Sequence, residues 1–322
     1  MKIIALLPSK NMAWALPAYL SSVSPVVDEI IAIDESTDGG QEILKNNSKV
    51  KIYTNSDLLE SGWAEFNVRQ KLLELGRKAG GTHFVCLDAD EALSANFLPN
   101  ARKTIEGLKP GQKLGMQWVF LWKSCYFYMD DKRSLFTNNY KDFIFCDRPD
   151  MQHDYAFMHV GRTPGENTKE NSIILSNKEG VCLHFAYVDW KNCLLKQSWL
   201  RCSELIKSPR DHIKINNKYY VLTEKADLEL SKTPKEWLEG LDLPQNVENL
   251  PFTWHLQSML GFFDKYGIEF FEPLEIWHIK ELEQEFIRRV GRKPKPSRMH
   301  IYLQPIIKLR RSAMKLVKAF GI

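Results

Sequence analysis

An apolar run that ends at three carboxylates constrains this chain more than any other feature of its sequence. Phe84–Leu87 is uncharged, and Asp88, Asp90 and Glu91 follow it directly. A buried strand cannot carry such charges inward, so we expect them at its exposed end. Two carboxylates one residue apart suit a hard divalent cation, and such a cation can bind a diphosphate. The run therefore predicts a buried strand with a cation site at its end.

Strand and helix patterns alternate through the first 90 residues. Short apolar runs typical of buried strands lie at Ile3–Leu7, Glu29–Ile33, Lys51–Thr54 and His83–Leu87, and helical patterns lie at Trp14–Val23 and Ala64–Ala79. This alternation predicts an α/β fold with a mainly parallel sheet flanked by helices. Polar clusters follow three of the strands, at Pro8–Asn11, Asp34–Asp38 and Asp88–Glu91. Because ligands bind beyond the C-terminal ends of such strands, we expect the three clusters at one edge.

The pattern changes in the rest of the chain. Further strands are predicted at Asp142–Cys146, Ile173–Leu175 and within Val181–Tyr187, and helices at Trp190–Ile206, Glu236–Leu241, Thr253–Tyr266 and Pro273–Val290. The aromatic segment Met116–Tyr128 fits a core at least as well as a sugar-binding surface. We therefore expect a helical C-terminal extension after the sheet.

Charge separates the end of the chain from the rest. The net charge is +4, but residues 288–322 hold 11 Lys and Arg and no Asp or Glu, so the other 33 basic and 40 acidic residues give −7. Such a body is not typical of nucleic-acid binding. Within the tail, Gln304–Phe320 has an apolar stripe and a basic stripe, which predicts a helix lying on an anionic membrane. A solvated end is the simpler interpretation.

The cysteines and the N-terminus indicate the compartment. The six cysteines form no C-x-x-C pair, so we interpret them as reduced thiols of a cytoplasmic protein rather than as disulfides or a zinc site. Ile3–Leu7 is too short for the core of a signal peptide, and no segment has the pattern of a membrane span.

Three motifs, in this order, resemble glycosyltransferase family 2, whose members have the GT-A fold. They are Ile4–Asn11, Ile31–Gly39 and Cys86–Glu91. That family usually has an Asp-Asp-Gly-Ser-Thr-Asp-Gly loop after the second strand, and Asp34–Gly39 is similar but one residue shorter. The resemblance covers roughly residues 1–200 and is closest up to residue 95. In style it is nearest to the bacterial branch that builds lipopolysaccharide core or capsule sugars.

The resemblance implies that several residues bind a nucleotide-sugar donor. Pro8 would border the base, and Asp34, Glu35 and Asp38 would face the base and the ribose. Arg69 would face the base or a phosphate, although an exposed helix position is an equally simple interpretation.

The resemblance also implies a site for Mg²⁺ or Mn²⁺ and for the diphosphate. Asp88 would contact the ribose or a metal-bound water, and Asp90 would coordinate the cation. His184 would complete the metal site, or would be a satisfied core histidine. Lys196 or Arg201 would neutralise the leaving diphosphate, or would lie on a solvated helix face.

A catalytic base is the least defined part of the predicted site. An inverting transferase needs a carboxylate that takes the proton of the acceptor hydroxyl. The related enzymes often have one just after a histidine, but here Val160 follows His159. Asp154 and Glu166 are the preferred candidates, and Asp147 and Asp150 are also open.

The resemblance and the residue patterns together predict a cytoplasmic, metal-dependent glycosyltransferase, peripheral on the inner membrane face, with a glycan or glycolipid acceptor. Residues 1–115 would bind the donor, 116–207 the acceptor, 208–291 would form the helical extension, and 292–322 would contact the membrane. A nucleotidyltransferase is the main alternative, but the loop Pro8–Asn11 lacks the glycine that gripping a triphosphate would require. A non-catalytic scaffold of the same fold also stays open.

Overall fold

The computed structural model describes residues 1–54, 65–132, 137, 139–156, 160–165, 168, 170–219 and 228–297. The chain divides into two compact units. The first comprises Met1–Met129, Leu135–Val188 and Leu230–Val247, and the second comprises Asp130–Ser134, Asp189–Glu229 and Glu248–Ile322. Every strand predicted from the sequence lies in the first unit.

The strands are short and the helices are mostly amphipathic. The strands are β1 Ile3–Ser9, β2 Glu29–Asp34, β3 Val50–Tyr53, β4 His83–Val85, β5 Glu91–Leu93, β6 Lys113–Phe120, β7 Phe127–Met129, β8 Tyr140–Cys146, β9 Ser172–Ile174, β10 Val181–His184 and β11 Leu230–Lys232. The helices are α1 Leu16–Val23, α2 Gly40–Lys45, α3 Glu65–Lys78, α4 Leu98–Glu106, α5 Trp190–Lys207, α6 His212–Lys218, α7 Lys235–Leu238, α8 His255–Tyr266 and α9 Lys280–Val290.

One sheet organises the first unit, with strand order β3-β2-β1-β4-β8-β6-β10-β5 and β9 beside β6. Parallel pairs join β1 to β2 and β4, β2 to β3, and β6 to β9 and β10. Strand β8 runs antiparallel to β4 and β6, and β5 runs antiparallel to β10. Strands β7 and β11 form a separate antiparallel pair. The predicted α/β fold with a mainly parallel sheet is confirmed.

Helices cover both faces of this sheet. Ile3, Ala5 and Leu7 of β1 pack in one core cluster with buried residues of α1, α2 and α4. Ile4 and Leu6 pack in a second cluster with residues of α3. Since successive strand residues point to opposite faces, both sets are buried, which explains why the strand is a continuous apolar run.

The close approach of α3 to the sheet depends on one glycine. A Cβ atom on Gly76 would lie 2.5 Å from Phe84 Cε1 and 2.9 Å from Leu6 Cδ2. Both distances are shorter than carbon atoms tolerate, so only glycine lets the helix pack at this depth.

The ends of three parallel strands set the position of the polar clusters. Strand β1 lies between β2 and β4, and Ser9 is opposite Asp34 in the register of β1 and β2. Because parallel strands end at the same edge of a sheet, the three clusters leave the sheet at one edge, as predicted.

The second unit is helical in its described part. Helix α5 begins after Asp189, whose Oδ1 accepts a hydrogen bond from the Asn192 N–H at 3.1 Å. This side-chain cap satisfies one of the free N–H groups at the helix start. Trp199 Nε1 donates to Ser258 Oγ at 2.9 Å and joins α5 to α8.

Two predictions about the C-terminal part are wrong. A helix was expected over Pro273–Val290, but α9 begins at Lys280. Leu274 and Ile276 are both fully buried, a spacing of two that a helix would place on different faces.

The tail was also expected to carry uncompensated charges. Instead Arg288 and Arg289 pair with Glu285, and Arg292 pairs with Glu272. The predicted tail helix Gln304–Phe320 lies outside the described residues. In the part of the chain that the structure describes, no helix has the length and apolarity needed to cross a membrane. All six cysteines are buried and unpaired, as expected.

Candidate functional site

The acidic motif forms a tight turn between β4 and β5. The Glu91 N–H donates to the Asp88 carbonyl at 3.0 Å, and the Asp88 N–H donates to Glu91 Oε2 at 2.7 Å. The predicted exposure of these carboxylates is wrong, because Glu91 is 0% and Asp90 6% exposed. Buried carboxylates require ionic or hydrogen-bond partners, and other parts of the first unit supply them.

Two arginines form ion pairs with this turn. Arg162 Nη2 lies 2.5 Å from Asp88 Oδ2 and 2.7 Å from Glu91 Oε1. Arg69, on α3, places Nη2 at 2.9 Å from Asp88 Oδ1, and its Nε donates to Glu65 Oε1 at 2.9 Å. Both oxygens of Asp88 are therefore ion-paired, one to each arginine.

The charges of these groups shift each other's protonation. Burial raises the pKa of Asp88, but the guanidinium groups of Arg162 and Arg69 outweigh it, so the pKa lies below its usual value. Burial lowers the pKa of Arg162, but the charges of Asp88 and Glu91 raise it by more. The pKa of Arg162 therefore lies above its usual value. Both shifts favour the charged forms of Asp88 and Arg162.

A carboxylate and an imidazole lie together beside this network. Strand β5 pairs with β10 so that Glu91 is opposite His184, and the Phe185 N–H donates to the Asp90 carbonyl at 2.8 Å. His184 Nε2 is consequently 3.5 Å from Asp90 Oδ2. The imidazole stacks on the Trp118 ring with centroids 4.5 Å apart, and its buried Nδ1 has no hydrogen-bond partner among the described residues.

A cation also contacts this indole. Lys141 Nζ lies 3.8 Å from the centroid of the Trp118 ring, which is close enough for a cation–π interaction. Burial, followed by the charge of Arg162, lowers the pKa of Lys141. The indole is therefore in contact with both an imidazole and an ammonium group.

Asp90 and His184 would suit a divalent cation that takes only some of its ligands from the protein. Among the described residues, no group of three or more His, Cys, Asp or Glu side chains is arranged to hold a metal ion. A cation such as Mg²⁺ commonly uses one or two protein ligands and completes its shell with phosphate oxygens and water. A carboxylate beside an imidazole suits that arrangement, whereas Asp88 would first have to release an arginine.

The second polar cluster is an ordered loop after β2. Asp34 is fully buried, and its two oxygens accept hydrogen bonds from Ser36 Oγ at 2.7 Å and the Ser36 N–H at 3.0 Å. The Ser36 hydroxyl oxygen accepts from the Asn11 N–H at 2.7 Å, and Asn11 Oδ1 accepts from the Thr37 N–H at 2.7 Å. These bonds join the loops that follow β1 and β2.

The remaining predicted nucleotide-binding residues belong to the same loops. Asp38 Oδ2 accepts from the Ala13 N–H at 2.9 Å, and its Oδ1 accepts from the Gly40 N–H at 3.0 Å. Glu35 forms a loose ion pair, with its Oε2 3.8 Å from Lys10 Nζ, and Pro8 lies near the end of β1. Their roles in donor binding remain predictions.

Lys196 and Arg201 lie on α5, in the second unit. Arg201 is 1% exposed, and its Nη2 donates to the Tyr219 carbonyl at 3.2 Å. Burial lowers its pKa to about 10. Contact of either residue with a diphosphate remains a prediction.

The candidate bases are not joined to the acidic turn in the described structure. Asp154 is exposed and forms no hydrogen bond or ion pair with any described residue. Glu166 and His159 lie outside the described residues. A catalytic role for Asp154 or Glu166 therefore remains a prediction.

Three contributors to the site were not predicted from the sequence. They are Arg162, Glu65 and Trp118. Arg162 follows a glycine in a polar loop, which is typical of many surface arginines, and no spacing relates it to Asp88. Only the folded chain brings it to the turn.

Comparisons with known proteins add limited information. Neither a family model nor a curated protein sequence matches the chain. Among solved structures, mannosyl-3-phosphoglycerate synthase from Rubrobacter xylanophilus aligns with 19% identity over 38% of this chain and 41% of its own, with a TM-score of 0.29. Glucosyl-3-phosphoglycerate synthase from Mycobacterium tuberculosis, solved with Mn²⁺, uridine-diphosphate-glucose and glycerol 3-phosphate, aligns with 20% identity over 37% and 44%, with a TM-score of 0.28. The chain thus spans less than half the length of these structures.

Proposed function

We propose that this protein is a glycosyltransferase that uses Mg²⁺ or Mn²⁺ to move a sugar from a nucleotide-sugar donor to a glycan or glycolipid. The observation that carries the proposal is the pairing of Asp90 with His184 at 3.5 Å, beside the end of β4. This sheet edge also receives the loops after β1 and β2, where the base and ribose would bind.

The chemistry of the pair fits a diphosphate leaving group. A divalent cation bound there would stabilise the negative charge that develops on the diphosphate as the bond between the sugar and the diphosphate breaks. Asp90 and His184 would hold it from one side. Asp34, Glu35, Asp38 and Pro8 would define the nucleotide side of the donor.

We further propose single displacement with inversion at the sugar. Asp154 or Glu166 would take the proton from the acceptor hydroxyl as it attacks, since this step requires a carboxylate near that oxygen. Replacing each separately, as Asp154→Asn and Glu166→Gln, should identify the base by a loss of transfer larger than the loss of donor binding.

We propose that the protein acts from the cytoplasm at the inner face of the membrane. Its acceptors would be of the lipopolysaccharide or capsule type. Support comes from the basic composition of residues 292–322, of which 298–322 carry six Lys and Arg and no Asp or Glu. A sedimentation assay with anionic and neutral vesicles tests this part independently of catalysis.

The donor is identified by a screen of the full chain with UDP-, GDP-, dTDP- and CMP-linked sugars. Release of the nucleotide is followed with Mn²⁺, with Mg²⁺ and with EDTA. We expect release from one donor class that EDTA and Asp90→Ala abolish. Glu106→Ala, which removes an exposed carboxylate on α4, is the control and should keep full activity.

Other products would reject the proposal. Release of pyrophosphate from a nucleoside triphosphate would assign a nucleotidyltransferase instead. A folded protein that neither binds nor hydrolyses any of these donors would indicate a non-catalytic scaffold.

A further inference from the structure

Arg162 has an unused donor that points to a second role. Its Nη2 contacts both Asp88 and Glu91, whereas its Nε is buried and has no hydrogen-bond partner among the described residues. Its Nη1 is 3.9 Å from Glu65 Oε1, which is too long for a hydrogen bond. A buried N–H group without a partner is costly, so such a group suggests an acceptor that binds later.

The backbone around Arg162 is fixed by several hydrogen bonds. The Val160 N–H donates to Glu65 Oε2 at 3.4 Å, and the Gly165 N–H donates to the Gln152 carbonyl at 2.9 Å. The fully buried Lys113 donates from Nζ to the Gly165 carbonyl at 2.8 Å. The guanidinium is therefore held in place from its backbone as well as by its ion pairs.

The position of Arg162 relates it to the Asp90–His184 pair. Its Cζ lies 5.6 Å from the centroid of the Trp118 ring, and His184 stacks on that ring at 4.5 Å. The guanidinium and the imidazole therefore approach the same indole. A group bound at Asp90 and His184 would lie in the positive field of Arg162.

We propose that Arg162 binds the diphosphate of the donor through its free Nε–H, while Nη2 stays on Asp88 and Glu91. The proposal rests on the proposed function and adds a protein cation to the site. Arginine suits this task because it is always charged and presents several N–H donors in one plane to phosphate oxygens. Asp88 and Glu91 then act as positioning residues, because they orient the guanidinium rather than contact the donor.

The test must avoid leaving a buried charge without a partner. Removing Arg162 alone would leave the buried carboxylate of Glu91 without its ion pair, which would destabilise the fold. Arg162→Met is therefore combined with Glu91→Gln. The matched control is Glu91→Gln alone, which keeps the arginine. Arg77→Lys is the second control, since Arg77 forms a similar two-bond pair with Asp147 elsewhere in the first unit.

The measurements separate the diphosphate from the metal. Dissociation constants of UDP, GDP, CDP and ADP are measured by calorimetry with Mn²⁺ present, and Mn²⁺ binding alone by electron paramagnetic resonance. We expect the double variant to bind the preferred nucleotide about ten- to a hundred-fold more weakly than Glu91→Gln. Its Mn²⁺ binding should not weaken, because a positive charge has been removed, and Arg77→Lys should bind the nucleotide as the wild type does.

Two results would overturn the inference in distinguishable ways. Equal nucleotide affinity in the double variant and in Glu91→Gln rejects a diphosphate contact for Arg162, and leaves the proposed function standing. Absence of binding of every nucleotide to the wild-type protein with Mn²⁺ rejects the proposed function and this inference together.

Discussion

His184 Nε2 and Asp90 Oδ2 lie 3.5 Å apart because β5 pairs antiparallel with β10 immediately after the acidic turn. The turn reverses the chain at the end of β4, so that the motif enters β5, the last strand in the order of the sheet, beside β10. A histidine from a strand far along the sequence thus reaches the second carboxylate of the motif. The metal site proposed here is a product of sheet topology.

Trp118→Leu should weaken Mn²⁺ binding about ten-fold with little loss of folded protein. The indole fixes the orientation of His184 by stacking on it, and groups that orient a metal ligand commonly change metal affinity by such a factor. Electron paramagnetic resonance of Mn²⁺ measures the effect. Trp118→Phe keeps an aromatic surface and should restore most of the affinity, whereas equal losses in both variants would contradict a stacking role.

Gly76→Ala should destabilise the first unit by about 1–3 kcal/mol, because the added methyl group overlaps Phe84 and Leu6. Urea unfolding measures the change. Gly261 on α8 is the matched control, since nothing lies within 4 Å of a Cβ there. Gly261→Ala should stabilise the protein by about 0.5–1 kcal/mol through helix propensity. A stabilising effect of Gly76→Ala would show that the helix can move away from the sheet.

The free energy of unfolding should decrease as the pH is lowered, partly because of His153. Burial, together with the charges of Arg69 and Lys113, lowers the pKa of its imidazole from 6.5 to about 3. Between these values the unfolded chain binds a proton that the folded chain does not, so the free energy of unfolding decreases as the pH falls from 6.5 towards 3.

His153→Gln removes this proton from the balance. The variant should show a flatter decrease in the free energy of unfolding between pH 6.5 and pH 4.5, by up to about 1.4 kcal/mol per pH unit relative to the wild type. Urea unfolding at several pH values provides the comparison. Parallel curves for the two proteins would mean that His153 is protonated as readily when folded as when unfolded.

Local sequence patterns predicted seven of the eleven described strands and missed β5, β6, β7 and β11. The continuous apolar run at Ile3–Leu7 indicates a strand buried on both faces, and β1 has that environment. The edge of the sheet at which Asp34 and Asp88 lie also followed from the alternation of strands and helices. These features depend on residues that are close together in the sequence, so local patterns can predict them.

The electrostatic partners were not predictable in the same way. Asp90 and Glu91 were expected to be exposed but are buried, and a sequence pattern cannot show that Arg162 will reach Glu91. The contact between Arg69 and Glu65 follows from helical spacing, but their contact with the turn depends on how α3 packs. Long-range ion pairs are set by tertiary structure, so only the folded chain defines the charge of the site.

The most direct test of the central claim is Mn²⁺ binding to the full chain in the presence of its preferred nucleoside diphosphate, followed by electron paramagnetic resonance. The account predicts one bound Mn²⁺ in the wild-type protein and a loss of affinity of at least about ten-fold in both Asp90→Asn and His184→Gln, since each removes one of two protein ligands. Wild-type affinity in either variant would contradict it.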